Sequence, residues 1–273
     1  MNVFEEFINS ELPIKKELQM IFSKYEPSVI FDIGACEGED SIRYSLLFKT
    51  ATVYSFEPLP DNYTKCLNNF LKFSNNKIKA FQLALSNNNG VADFFVSSGS
   101  PKNAEQSGWN FGNKSSSLFP PESSYKQNEW LRFEDQIQVK TQTISSFCKE
   151  NSVQKIDFIH MDVQGAELNV LQGAEKELAS INAIWLEVEN ISMYQGQPLR
   201  KDIEKFMKES GFVKIVDTSM YGDAGDQLYI NTLYYSKLNR FTIKLKGIMF
   251  LKFVYFELIP LKIRRLIKSH FLK

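Results

Sequence analysis

A short apolar run, Val29-Ile30-Phe31, ends on Asp32 and is followed at once by Ile33 and by two glycines, Gly34 and Gly38. A buried parallel strand reads as such a run. An acid and two glycines after it describe a strand-to-helix turn that admits a ligand. Gly34 lets the backbone come close to that ligand, and Gly38 lets the start of the helix pack tightly. The spacing is not G-x-G-x-x-G, which sets aside a nicotinamide oxidoreductase. A carboxylate just before the first glycine would repel a pyrophosphate and suits a ligand with an amino group there.

The segments around this turn alternate strand and helix. After the run at Val29, a helix is expected from Glu39 to Phe48, a strand over Thr52–Phe56, a helix over Asp61–Phe73 and a third strand over Ile78–Leu85. Further on come strands at Ile156–Met161, Ala183–Val188, Phe212–Asp217 and Gln227–Tyr235, with helices over Ala166–Ser180 and Leu199–Ser210. Alternation of this kind predicts a Rossmann-like α/β fold, a mostly parallel sheet with right-handed crossovers. This α/β domain, over 28–239, is preceded by a helical preface, residues 1–27, with apolar stripes Val3/Phe4/Phe7/Ile8 and Leu18/Ile21/Phe22.

Two segments break the rhythm. Asn87-Asn88-Asn89-Gly90 is a turn signal before a strand at Val91–Val96, so a hairpin extends from the sheet, and regular structure resumes at Gln138–Ile144. Between them, 97–134 is polar yet holds Trp109, Phe111, Phe119, Trp130 and Phe133. A loop that long is often functional, and it is expected to cover the substrate, with Trp109 and Trp130 as substrate contacts. The second segment is the tail, 240–273. It carries nine Lys/Arg against one acid, so the neutral total conceals a body of net charge −8. Apolar and basic residues together suit three fates: packing on the domain, contact with a second copy, or peripheral attachment to an anionic membrane. Its longest apolar run is too short to span a bilayer. Cys36, Cys66 and Cys148 have no C-x-x-C spacing, and the acidic N-terminus does not read as a signal peptide, so a reducing, cytoplasmic setting is expected.

The acids that close the strands carry the chemistry. Glu57 follows Asp32 by 25 residues, where a carboxylate for ribose hydroxyls belongs. Ala84-Leu85-Ser86 closes the third strand, and Leu85 and Ser86 would face a base edge. In His160-Met-Asp162-Val-Gln164-Gly-Ala-Glu167 the first two polar residues share a strand face, and Asp162 lies at the carboxyl end where ligands bind in open α/β sheets. Glu187 and Glu189 share a face at the end of the next strand. Ordinary alternatives stand beside these roles: a core histidine for His160, and a favourable helix-start position for Glu167.

Together the segments FDIGACEG, SFEP, LALSNNNG, KIDFIHMDVQGAELNVLQGAE and WLEVEN resemble the FkbM family of methyltransferases, over about residues 28–217. The resemblance implies a class I methyltransferase sheet of seven strands, S-adenosylmethionine as cofactor, and O-methylation, commonly of sugar or other polyol hydroxyls. It places Asp32, Gly34, Gly38, Glu57, Leu85, Ser86 and Asp162 around the cofactor. Two positions depart from the family pattern: His160 stands for its lysine and Gln164 for its second acid. One carboxylate fewer weakens the case for a divalent metal, which is not expected; Asp162 and Glu167 are the pair that would share one. A hydroxyl needs a base to take its proton. Asp162 and His160 are the candidates, alone or as a pair in which the carboxylate orients the imidazole, with Glu187 next and Glu189 on the acceptor. A nucleic-acid amino-methyltransferase would carry a proline-containing motif after the fourth strand and a basic chain, and neither is present. A binding module that keeps the fold without activity is the remaining alternative, along with a non-sugar acceptor.

Overall fold

The computed structural model describes residues 3–73, 77–101, 111–122 and 130–235. The 240–273 tail and Trp109 lie outside the described residues. Two short helices, α1 (Val3–Asn9) and α2 (Lys15–Ile21), lead into β1 (Val29–Ile33), α3 (Glu39–Leu47), β2 (Thr52–Phe56), α4 (Pro60–Lys72) and β3 (Ile78–Phe81). β4 (Ala84–Leu85), β5 (Gly90–Ser98) and β6 (Arg132–Gln142) follow, then α5 (Ile144–Glu150), β7 (Phe158–Met161), α6 (Glu167–Gln172), β8 (Ala183–Glu189), α7 (Arg200–Glu209), β9 (Phe212–Asp217) and β10 (Ala224–Asn231).

Seven strands form one sheet in the order β3-β2-β1-β7-β8-β10-β9, parallel except for β10, which runs antiparallel to both of its neighbours. The order reverses between β1 and β7, and in an open α/β sheet the ligand crevice lies outside the strand ends at such a switch point. Both faces are covered. Phe31, Phe56, Ile159, Met161 and Leu186 pack on one side with Phe147, Leu171 and Met207 of the helices. Ile30, Phe158, Trp185 and Leu228 pack on the other with Leu18, Ile21 and Tyr44. The helical preface is therefore part of the core: Leu18 is fully buried, and Phe4 and Ile8 pack against Ile42, Cys66 and Phe70.

Three expected elements differ. The strand foreseen over Ile78–Leu85 is two strands: Ile78–Phe81 pairs with β2, whereas Ala84 and Leu85 pair with Thr141 and Gln142 in a separate sheet of order β4-β6-β5. The helix foreseen over Ala166–Ser180 stops at Gly173, a weak helix former, and continues as a 3-10 turn over Glu175–Ser180. The hairpin reaches further than its polar sequence suggested, from Ser98 paired with Arg132 to Gly90 paired with Thr141. Within the segment that joins its strands, Gly112–Ser115 forms a 3-10 turn, Ser117 bridges to Phe95, and Pro121 bridges to Tyr194.

Candidate active site

The turn after β1 is built by backbone approach. Gly34 has φ +86, and a Cβ there would lie 1.9 Å from the Asp162 carbonyl oxygen. Only glycine lets β1 and the segment after β7 close on each other here. Gly38 has φ +87, and a Cβ on it would lie 2.4 Å from the Phe70 ring. The glycines thus fit protein against protein, and the ligand space opens beside them. That space, about 520 Å³ including its open mouth, is lined by Gly34, Cys36, Glu57, Leu85, Asp162 and Gln164, with Asn113, Lys114, Ser116 and Leu118 from the hairpin's connecting segment.

Four residues expected at the cofactor line it: Gly34, Glu57, Leu85 and Asp162. Asp32 lies beneath it, almost fully buried, with Oδ2 accepting from the Ser41 hydroxyl at 2.5 Å and Oδ1 from His160 Nδ1 at 2.8 Å. Gly38 caps α3 behind the pocket, and Ser86 sits behind Leu85, its N–H donating to the Gln142 carbonyl. Glu57 is buried, and its two oxygens accept from the Cys36 and Leu59 N–H groups, each at 2.8 Å. Burial outweighs these donors and pushes its carboxyl up to about 8. A buried carboxyl with lone pairs left over, at the end of β2, suits a ligand that brings hydroxyl donors.

Beyond Asp162 the crevice is acidic. Asp226 of β10 is the cross-strand partner of Glu187, and Glu189 ends β8. Burial first, then Asp162, Glu189 and Glu167, raises the Glu187 carboxyl well above its ordinary value. Burial and Asp162 push Glu189 up to about 7 and Asp226 up to about 6. His160 is raised to about 9: burial opposes its charge, but the bond to Asp32 and the nearby Asp40 and Asp162 outweigh it. It is therefore an imidazolium at neutral pH, and the carboxylate that orients it is Asp32 rather than Asp162. Asp162 Oδ1 accepts instead from Gln164 Nε2 at 2.7 Å, and the same nitrogen donates to Glu187 Oε2 at 2.9 Å. Glu167 is buried, its Oε1 accepting from the Val163 N–H at 3.0 Å, which fixes the turn into α6. Among the described residues, no three of His, Cys, Asp and Glu converge as a metal site would require. Trp130 is half-buried at the root of the hairpin, where its carbonyl lies against Gly99.

The sequence profile of the Methyltransferase FkbM domain matches residues 32–214. The chain belongs to the FkbM methyltransferase family. Among curated proteins it is similar to 2-O-methyltransferase NoeI of Sinorhizobium fredii, 31% identical over 224 residues, spanning 82% of this chain and 87% of that one. It is also similar to Methyltransferase sdnD of Sordaria araneosa, 25% identical over 206 residues, spanning 67% and 73%. Among solved structures, M. capricolum TrmK in complex with S-adenosyl-homocysteine aligns at 13% identity and TM-score 0.42, over 82% of this chain and 72% of that one. This FkbM protein is thus an S-adenosylmethionine-dependent methyltransferase. Sequence reasoning passed over Asn113 and Lys114, which reach the pocket from the hairpin segment, and Asp226, which only strand register sets beside Glu187. The family departure at Gln164 was the one signal in the sequence for the bridge it makes.

Proposed function

We propose that this FkbM methyltransferase methylates a hydroxyl of a sugar or polyol acceptor, with Asp162 as the base that takes the hydroxyl proton. The observation that carries the reading is the position of Asp162. It lines the cofactor pocket and is also joined to Glu187 through Gln164, so it stands between the cofactor and the acidic crevice. When bound, the cofactor supplies an electrophilic methyl group on a sulfonium. Positioning two reactants in line converts a bimolecular step into an effectively unimolecular one. Asp162 accepts the hydroxyl proton, while His160, held as imidazolium by Asp32, remains charged and does not compete for it. Burial and the neighbouring acids raise the Glu187 carboxyl well above its ordinary value, and its Oε2 accepts from Gln164 Nε2 on the acceptor side of Asp162. Likeness to a protein named a 2-O-methyltransferase supports transfer to oxygen.

Incubation with methyl-labelled S-adenosylmethionine and a panel of glycan precursors, free and lipid-linked, read by mass spectrometry, tests the acceptor class. Label on a sugar hydroxyl is the expected result. Asp162→Asn should lower turnover of that acceptor by about 100-fold or more, the range general-base removal gives, with cooperative unfolding retained. Full activity in that variant moves the base elsewhere, and label confined to non-sugar acceptors overturns the substrate class.

A further inference from the structure

The amide of Gln164 sits where carboxylates from two strands converge. Nε2 spends one N–H on Asp162 Oδ1, at 2.7 Å, and the other on Glu187 Oε2, at 2.9 Å. The opposite end of the amide is fixed as well, since the Tyr194 hydroxyl lies 3.0 Å from Oε1. That network decides the orientation of the amide, because the flipped form would set an oxygen against two carboxylates. The backbone is held in the same place. Gln164 adopts φ +54, and its carbonyl accepts from the Ser117 hydroxyl at 2.7 Å. Few half-buried side chains are so completely constrained.

We propose that the Gln164 amide does here what a divalent cation would otherwise do: it draws the Asp162 and Glu187 carboxylates together, so that the acceptor side of the site is organised by a side chain and works without a metal. Two carboxyl oxygens on one centre are the start of a hard-cation site, and such cations take oxygen ligands from carboxylates. An amide NH₂ supplies the same convergence through two donors but brings no net charge. The difference matters for chemistry. A cation bound to Asp162 would suppress its basicity, whereas an amide donor steers the carboxylate and leaves its charge largely available. Gln164 is in this sense a positioning residue for Asp162, and the inference rests on the reading of Asp162 as the base.

The test replaces the amide with a third carboxylate. Calcium and manganese are titrated calorimetrically into the full-length wild type and into Gln164→Glu, and thermal unfolding is followed with and without each ion. The wild type should show no saturable site and no rise in Tm. Gln164→Glu should gain a saturable site and a rise in Tm, both lost when Asp162→Asn is added. If Gln164→Glu does not fold in metal-free buffer, its refolding yield with and without calcium gives the same answer, cation-dependent recovery being expected. The proposal is overturned if the wild type binds either ion at a site that Asp162→Asn or Glu187→Gln abolishes. It is equally overturned if folded Gln164→Glu gains no site, or if unfolded Gln164→Glu is not recovered by the ion. None of these readouts needs an acceptor. A parallel titration of wild type with S-adenosylhomocysteine shows separately whether the cofactor reading stands.

Discussion

Glu57 is pulled two ways: burial pushes its carboxyl up to about 8, while backbone N–H groups of Cys36 and Leu59 favour the ionised form. Ligand hydroxyls that donate to the same carboxylate add to the second influence. Binding of S-adenosylhomocysteine should therefore release a proton at neutral pH and tighten as pH rises towards about 8, by at most about tenfold per unit. Calorimetry in buffers of differing ionisation enthalpy measures this, and Glu57→Gln should abolish the pH dependence. His160 gives a second residue-scale test, because the chain has two histidines and their proton resonances are easily told apart. The imidazole should titrate near 9, and Asp32→Asn should lower that value, since the Asp32 bond is the largest influence raising it. A His160 titration unmoved by Asp32→Asn would refute the pairing. The sequence pointed to His160 and Asp162 but matched the imidazole with the wrong carboxylate, for a geometric reason. Residues two apart on one strand are separated by roughly 6–7 Å along it, whereas neighbouring strands lie about 4.8 Å apart. Asp32 is the cross-strand partner of His160, and that register is invisible in a linear sequence.

At the scale of elements, local pattern was enough for β1, α3, β2 and α4, where apolar runs and glycines mark each boundary, and not enough where pairing is distant. The polar half of β6, Arg132–Gln138, is a strand because β5 offers it partners, from Ser98 opposite Arg132 to Asp93 opposite Gln138. The apolar run from Ile78 likewise could not reveal that Ala84 and Leu85 leave the main sheet for β6. The hairpin's connecting segment was expected over the acceptor. Its described part, 111–122, lines the pocket at the switch point and is pinned there: Lys114 Nζ to Glu39 Oε1 at 2.7 Å, Asn113 to Asn62 at 2.6 Å and to Glu37 at 3.2 Å. Lys114→Met strips a buried carboxylate of a charged partner, which should cost about 1.5–3 kcal/mol and speed cofactor dissociation. Adding Glu39→Gln removes the orphaned charge, so the double variant should unfold at a higher temperature than Lys114→Met alone. A thermal unfolding cycle over the four proteins measures this coupling. Strict additivity would mean that the pair does not hold the segment in place.

For the whole molecule the abundance of buried acid sets how stability depends on pH. Glu57, Glu189 and Asp226 are raised to about 8, 7 and 6, and Glu39, Glu167 and Glu187 are raised as well, burial being the first cause in each. In the folded chain these groups keep protons that the unfolded chain has already released above the ordinary carboxylate range. His160, raised to about 9, acts in the same direction, holding a proton above 6.5 that the unfolded chain gives up. Wherever the folded state binds more protons, stability falls as pH rises, by about 1.4 kcal/mol per unit for each proton in excess. On the acid side the sign reverses. Glu204, held down to about 2, and the lowered Asp217 and Asp157 contribute stability that is lost as pH drops through their folded values. For Glu204 and Asp217, Lys214 and Arg200 outweigh burial, and for Asp157, Lys155 and Ser28 do so. These influences cross at mildly acid pH. The apoprotein should therefore unfold at its highest temperature in the ordinary carboxylate range, near pH 4 to 5, and lose stability steadily towards pH 9, rather than peaking at neutrality. Saturating S-adenosylhomocysteine should shallow the alkaline decline, because it favours the ionised form of Glu57. Thermal unfolding from pH 4 to 9, with and without that ligand, decides it: a profile level or rising between pH 6 and 9 in the apoprotein would mean that the crevice acids are already ionised in the folded state, with a cation or an opened cleft carrying their charge.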